Sequence, residues 1–185
     1  MSAGIFMDYG DCLRGIVVER NGSPGFAGAL LYAKYQTPDR IEKLFALGDL
    51  LELQEKLKPQ ANIGHYVLLE KGKVKEVRLQ EGVCVSKNRD VRTVDGNIIK
   101  KGHKIKLREY KSTEVVYPFI TEGLDFLYVF DKSKGQWHTY CLNDEKNKVK
   151  EIKVDYTTYI RNLVYRDDIS ELTREEKERL SYIKK

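Results

Sequence analysis

Two hydroxyl–proline pairs, Ser23-Pro24 and Thr37-Pro38, constrain this chain more than any other feature of its sequence. A hydroxyl at an N-cap accepts a hydrogen bond from a free backbone N–H of the first turn. A proline at the next position lacks the N–H that a first turn leaves unused, and its φ is already helical. Two helix starts are therefore fixed in the first forty residues. The first helix is predicted to run from Pro24 to about Tyr35, with Phe26, Leu30 and Ala33 on one stripe and Gly25, Gly28 and Ala29 on a small-residue face. The second opens with Asp39 in its first turn, which suits the helix dipole. Its apolar residues Ile41, Leu44 and Phe45 fall at i, i+3 and i+4, and Gly48 is placed to end it in the left-handed conformation. Asp49 then predicts a third cap, before a helix over "LLELQEKLK" in which Leu50, Leu53 and Leu57 share a side and which Pro59 ends.

Around these helices the pattern is β. "RGIVVER" before Asn21-Gly22 is a short strand rich in β-branched residues. "HYVLLEKGKVKEVRLQ" divides into two strands about Lys71-Gly72, and "DVRTVDGNIIKK" turns at Asp95-Gly96, where both central positions accept positive φ. "HKIKLREY" alternates lysine with Ile105 and Leu107, which predicts a strand with one apolar and one basic face. "DFLYVFDKSKGQWHTYCL" is the plainest hairpin, two aromatic arms about a polar turn, and "VKEIKVDY" adds a strand. Near the end, Thr173 and Glu176 make a capping box for a helix with Leu180 and Ile183 as its apolar contacts. Helices followed by strands, rather than alternating with them, predict an α+β fold. The expected architecture is an N-terminal strand and short capped helices packed on a mostly antiparallel sheet, plus a C-terminal helix. Residues 1–168 are expected to form one domain and 169–185 a helical tail.

A chain of 185 residues with 41% hydrophobic and 33% charged residues can bury a full core without disulfides or metal. Cys12, Cys84 and Cys141 are odd in number and far apart, so they make no disulfide framework and no Cys-x-x-Cys. Buried structural thiols are the expectation for Cys84 and Cys141. The start, "MSAGIFMDYGDCLRG", carries Asp8 and Asp11 and lacks a signal-peptide core, and no apolar run reaches the roughly 18 residues of a membrane span. The chain reads as an intact product of the cytoplasm with no membrane partner.

Net charge is +5, yet residues 71–111 hold thirteen Lys and Arg against five Asp and Glu, about +8, so the flanks are slightly acidic. Such a zone attracts an anionic partner. It serves equally as a solvated sheet face, where lysines discourage edge pairing. As a partner- or anion-binding surface its candidates are Lys73, Lys75, Arg78, Lys100, Lys101, Lys104, Lys106, Arg108 and Tyr110. A second candidate is the helix start at Ser23 and Gly25, where free N–H groups face any anion. "GSPGFAG" nevertheless has neither G-x-G-x-x-G spacing nor a G-K-[ST] ending, and Pro24 removes a donor. Its glycines fit close packing on the preceding strand.

No metal is expected, since His65, His103 and His138 stand apart from one another and from the cysteines. If residues 136–142 form a strand, His138 and Cys141 fall on opposite faces. No catalytic residue stands out: neither a nucleophile–base pair nor converging carboxylates can be read from the spacing, Asp167-Asp168 included. No cofactor motif is present. Nucleic acid is a competitor, because Tyr110 and Tyr117 interleave with the basic zone and the chain has twelve tyrosines. No known nucleic-acid-binding signature accompanies them.

Parts of the chain resemble small accessory proteins of tailed bacteriophages and prophages, mostly without assigned function. In these a strand is followed by D-G-Y-P, a glycine-containing segment, L-L-x-H-Y and P-E-K-V-x-x-L-I-A-L-G-D-L-S. Here Asn21-Gly22-Ser23-Pro24 stands in the first place, and Leu30-Leu31 and Tyr35 fit the second with a shift of one residue. Pro38-Asp39-Arg40-Ile41 and Leu44-Phe45-Ala46-Leu47-Gly48-Asp49-Leu50 match closely. "DFLYVFDKSKGQWHTY" is similar to the aromatic hairpin near the end of such proteins. The resemblance covers residues 14–57 and 125–141. The Cys-His or Trp that often precedes D-G-Y-P is Glu19-Arg20 here, and the histidine of L-L-x-H-Y is replaced near Ala33-Lys34. It implies a phage-type accessory protein, located in the host cytoplasm, and no known reaction. The functional expectation is a non-enzymatic protein that binds and inhibits a host or defence protein or complex. The alternatives are sequestration of an anionic nucleotide and binding of nucleic acid.

Overall fold

The computed structural model describes residues 1–61, 67–70, 73–76, 82–92, 98–105, 107–112, 123–143, 148–155 and 157. The expected C-terminal helix and the 169–185 tail lie outside the described residues, as do Tyr117, Arg78 and Lys106.

A sheet of nine strands carries the fold, with helices on it: an α+β protein. Its centre is β1 (Ala3–Asp8), buried from Ala3 to Met7. β1 pairs antiparallel with β2 (Cys12–Arg20) and parallel with β11 (Phe126–Asp131). β11 and β12 (Gln136–Asn143) form the expected aromatic hairpin, and β13 (Lys148–Ile152) follows antiparallel. On the other side of β1 the order is β2, β3 (Leu50–Glu52), β7 (Val83–Ser86) and β4 (Lys56–Ala61), with β10 (Arg108–Lys111) also on β2. Five of the eight pairings are antiparallel and three parallel, so the sheet is mixed. Two small separate sheets are hairpins, β5 (Val67–Glu70) with β6 (Lys73–Glu76), and β8 (Val91–Arg92) with β9 (Ile98–Lys100).

Alternation along the strands separates two cores. Ala3, Ile5 and Met7 of β1, Ile16 and Val18 of β2, and Tyr128 and Phe130 of β11 face the helices. Phe6, Leu13, Leu127 and Val129 point to the opposite face and form a smaller cluster with Leu124. The period-two side-chain alternation of a strand requires this division.

Between β2 and β3 the chain makes its helical layer. α2 (Pro38–Phe45) matches the sequence: Thr37 accepts from the Arg40 N–H at 3.3 Å, and Ile41, Leu44 and Phe45 are buried. The first helix starts at Pro24 as expected but opens with a π-helical turn, Pro24–Gly28, before α1 (Ala29–Lys34). Gly28 and Ala29 donate to carbonyls five residues back, at Ser23 and Pro24. One extra residue in that turn rotates the face. Phe26, expected in the buried stripe, is therefore 61% exposed, while Ala27 and Leu30 face the core. Ser23 occupies the N-cap, but its side chain makes no capping bond. Gly28 packs closely, though on β11 and not on the strand before it: a Cβ there would meet the Tyr128 ring at 3.1–3.4 Å, whereas one at Gly25 would meet nothing within 4 Å.

Two expected elements differ. "LLELQEKLK" is not a third helix; it supplies β3 and the start of β4. Leu50 pairs with both Val18 and Ser86, so sheet partners on two sides outweigh a local helical pattern. β1 was not visible as a strand, because its apolar run is short and lies beside the N-terminus. "HKIKLREY" yields a strand only from Arg108 onward, and Ile105 and Leu107 are exposed instead of lining a buried face.

Candidate functional site

The sheet forks along the outer edge of β2. β10 pairs with Cys12 to Gly15, and β3 takes over at Val18. At the gap the Val17 N–H has no strand partner and donates to Asp49 Oδ1 at 2.9 Å. Arg108 Nη1 donates to the same oxygen at 2.5 Å, with both side chains largely buried. Asp49 thus caps the open edge of one strand and ties in the first residue of another. It can reach there because Gly48, at φ 71°, turns the chain sharply after α2.

The same residue holds the next wall. The Asp49 carbonyl accepts from the Lys87 N–H at 3.1 Å, and the Lys87 carbonyl accepts from the His103 N–H at 2.9 Å. Gly102 donates to Asp90 Oδ1 at 2.8 Å and lies flat on the Asn88–Arg89 backbone, where a Cβ would come within 2.5–2.6 Å of it. The Ser86 hydroxyl donates to the Leu47 carbonyl at 3.3 Å and accepts from the Asn88 N–H at 3.2 Å. Residues 86–90 and 101–105 are therefore stitched together above Gly48, and Ile105 packs against that glycine, 3.3 Å from where a Cβ would stand. The result is a cleft of about 460 Å³ lined by Asp49, Lys87, Asn88, His103, Lys104 and Ile105.

Its charges are unequal in freedom. Lys87 Nζ is paired with Glu19, and Asp49 with Arg108. Lys101, His103 and Lys104 are exposed, and none has an ion-pair partner among the described residues. The Asn88 side-chain carbonyl is buried without a hydrogen-bond partner. Ile98, Ile105 and Leu107 are three of the five large exposed hydrophobic side chains among the described residues.

The residues singled out by sequence scatter over several places. Lys73 and Lys75 stand on β6, in a sheet separate from the main one, and Lys100 ends β9. Lys101 and Lys104 lie on the segment that walls the cleft. Arg108 is taken up by Asp49, and Tyr110 packs its ring 5.8 Å from Phe6 in the second core. Around Ser23 and Gly25, the N–H groups of Phe26, Ala27 and Gly28 already bond to the carbonyls of Ser23 and Asn21, which leaves none of the three for an anion. Asp49, Lys87, Asn88 and His103 were not singled out. The one signal for them was Gly48-Asp49, whose special backbone marked a sharp turn.

Cysteine chemistry is muted. Cys84 is fully buried and exchanges bonds with the Gln54 backbone at 3.4 Å; burial pushes its thiol up. The Tyr35 hydroxyl beside it, donating to the Gln54 carbonyl at 2.8 Å, is also raised by burial. Cys141 is only partly buried, less than expected, and the Cys12 thiol is raised by desolvation and by Asp11. A raised thiol pKa lowers the thiolate fraction, which is the reactive form. Among the described residues no group of three or more His, Cys, Asp or Glu could hold a metal ion, and no helix is long and apolar enough to cross a membrane.

No known protein family, no curated protein and no solved structure matches this chain.

Proposed function

We propose that this protein works by binding, as an accessory factor of the tailed-phage type that docks on and inhibits a host or defence protein. The observation that carries the reading is the composition of residues 98–107. Exposed Ile98, Ile105 and Leu107 flank exposed Lys101, His103 and Lys104 there. Isolated exposed apolar residues need no explanation, but three within one cationic segment make an anchor-and-rim pattern. Charge complementarity selects an acidic partner surface with an apolar centre. A nucleic-acid target is less well served, because the Tyr110 ring, a stacking platform offered by the sequence, is engaged with Phe6.

The test is capture from a bacterial host lysate with three baits: the wild type, an Ile105→Asp/Leu107→Asp variant and a Lys101→Glu/Lys104→Glu variant. A single protein retained by the wild type, lost by the apolar variant, and lost by the charge variant with salt-dependent retention on the wild type, is the expected result. Retention of the same proteins by all three baits would sink the proposal, as would enrichment of none.

A further inference from the structure

The turn between β2 and the first helix holds the only Asn-Gly pair in the chain, Asn21-Gly22. A glycine has no Cβ to shield its backbone nitrogen, so after an asparagine that nitrogen can attack the side-chain amide. In this turn every group that such an attack needs is held. The Gly22 N–H donates to the Met1 carbonyl at 2.9 Å, and the Gly22 carbonyl accepts from the buried Tyr128 hydroxyl at 2.7 Å. Gly22 is itself buried, and a Cβ there would meet Ser2 and Ala3 at 2.8–2.9 Å. The Asn21 carbonyl accepts from the Ala27 N–H at 3.1 Å, and its Nδ2 donates to Glu52 Oε1 at 2.7 Å. Asn21 is exposed, and it is the only non-glycine residue with positive φ among the described residues, at 54°.

We propose that Asn21-Gly22 is a deamidation site gated by the fold. In the closed turn the attacking nitrogen gives its hydrogen to Met1, and the leaving amide is held by Glu52. When the corner opens, the Gly22 nitrogen loses its proton and bonds to Asn21 Cγ. The Cγ–Nδ2 bond breaks, and ammonia leaves with that proton. Water, which reaches the exposed Asn21, opens the resulting succinimide to aspartate or isoaspartate. The sum is water in and ammonia out, with no oxidant, reductant or cofactor. The product does not reclose. Aspartate puts a second carboxylate where Nδ2 stood 2.7 Å from Glu52, and like charges that close repel. Isoaspartate adds a backbone methylene beside Gly22, which has no room against Ser2 and Ala3. An opening of this corner is therefore recorded as a one-way chemical change. The site uses none of residues 98–107 and is independent of the docking reading.

Mass spectrometry of the full chain incubated in oxygen-labelled water tests it, with peptide mapping at residue 21, once folded and once unfolded in urea. The folded wild type is expected to convert more slowly than the unfolded chain by about tenfold or more, because local opening must precede attack. Glu52→Ala is expected to speed conversion of the folded chain about tenfold, the worth of one hydrogen bond to a charged group, and to change nothing in urea. Glu52→Gln, whose amide oxygen still accepts, is expected to stay near the wild type. Tyr128→Phe, which frees the Gly22 carbonyl, is expected to speed it as well. Asn21→Asp, the chemical product, is expected to melt below the wild type. Equal rates in the folded and unfolded wild type would overturn the proposal, as would Glu52→Ala at the wild-type rate or Asn21→Asp with the wild-type melt. Should Glu52→Ala not fold by its thermal melt, Tyr128→Phe takes its place, and the wild-type rate in that variant is then the overturning result.

Discussion

The two sides of the sheet are held by different physics. At the hairpin side, β11 and β12 bury aromatic rings against the helices. Trp137 donates from its indole N–H to the Tyr35 carbonyl at 2.7 Å and lies edge-on to Phe130, with centroids 5.2 Å apart. The Tyr128 hydroxyl donates to the Gly22 carbonyl at 2.7 Å, and Tyr32 reaches Thr139 at 3.0 Å. At the forked side the strands are short, the pairings shift register, and one carboxylate joins three pieces of chain. Area burial is non-directional and tolerates no water. A charged cap is directional and leaves room beside it. The cleft and the exposed cationic segment are therefore on the side where polar caps, and not aromatic packing, close the structure.

That contrast can be broken from either side. Trp137→Ala should cost the most, about 3–5 kcal/mol in urea unfolding, since it removes a buried indole and orphans the Tyr35 carbonyl. An unfolding midpoint close to that of the wild type would deny the hairpin side its role as anchor. Asp49→Ala should cost about 2–3 kcal/mol, by stranding the Val17 N–H and removing the carboxylate that Arg108 bonds. It should also speed hydrogen exchange at Val17 while the β11–β12 amides keep their protection; uniform acceleration would mean that the two sides are not separable. Gly28→Ala should cost about 1–2 kcal/mol, because the added methyl meets a fully buried Tyr128 ring that has nowhere to move.

Smaller effects sharpen it. Ile105→Asp/Leu107→Asp should leave stability within about 0.5 kcal/mol of the wild type, as expected of surface positions. A larger loss would make the segment part of the core. The hairpin turn adds a pH signature. Asp131 accepts from the Ser133 hydroxyl and from the Ser133 and Lys134 N–H groups, and these bonds hold its carboxyl below the usual range. A carboxyl that titrates lower in the folded state contributes stability above its unfolded value near pH 4. That contribution is lost as pH falls through the folded value. Asp131→Asn should flatten the acid limb of the stability curve, read by thermal melts between about pH 2 and 5. In alkali the sign reverses. Burial raises the Tyr35 and Tyr128 hydroxyls, so the unfolded chain gives up protons first and stability falls from about pH 10 upward.

Much of this was legible in the residues. Thr37-Pro38 located α2, and its i, i+3, i+4 apolar set is the buried face. Asn21 and Gly48 take positive φ, as small polar and glycine turn residues do. The aromatic hairpin was plain because alternation and a polar turn agree. Local pattern misled where a long-range partner decided: the leucines from Leu50 onward read as helical, yet β2 and β7 claim them as strand. The π-helical turn was hidden because one added residue per turn has no composition of its own, and it alone exposes Phe26.

The candidate site divides in the same way. Charge clustering is a property of sequence, and Lys101 and Lys104 were found by it. What neutralises a charge is a property of space. Only the folded chain pairs Arg108 with Asp49, fifty-nine positions away, and Lys87 with Glu19, sixty-eight away, while leaving Lys101 and Lys104 without ion-pair partners among the described residues. Sequence determined the helix starts, the turns and the amount of positive charge, because each rests on a few neighbouring residues. Tertiary structure decided which strands share an edge and which polar groups are left over, because those depend on contacts between residues far apart in the chain.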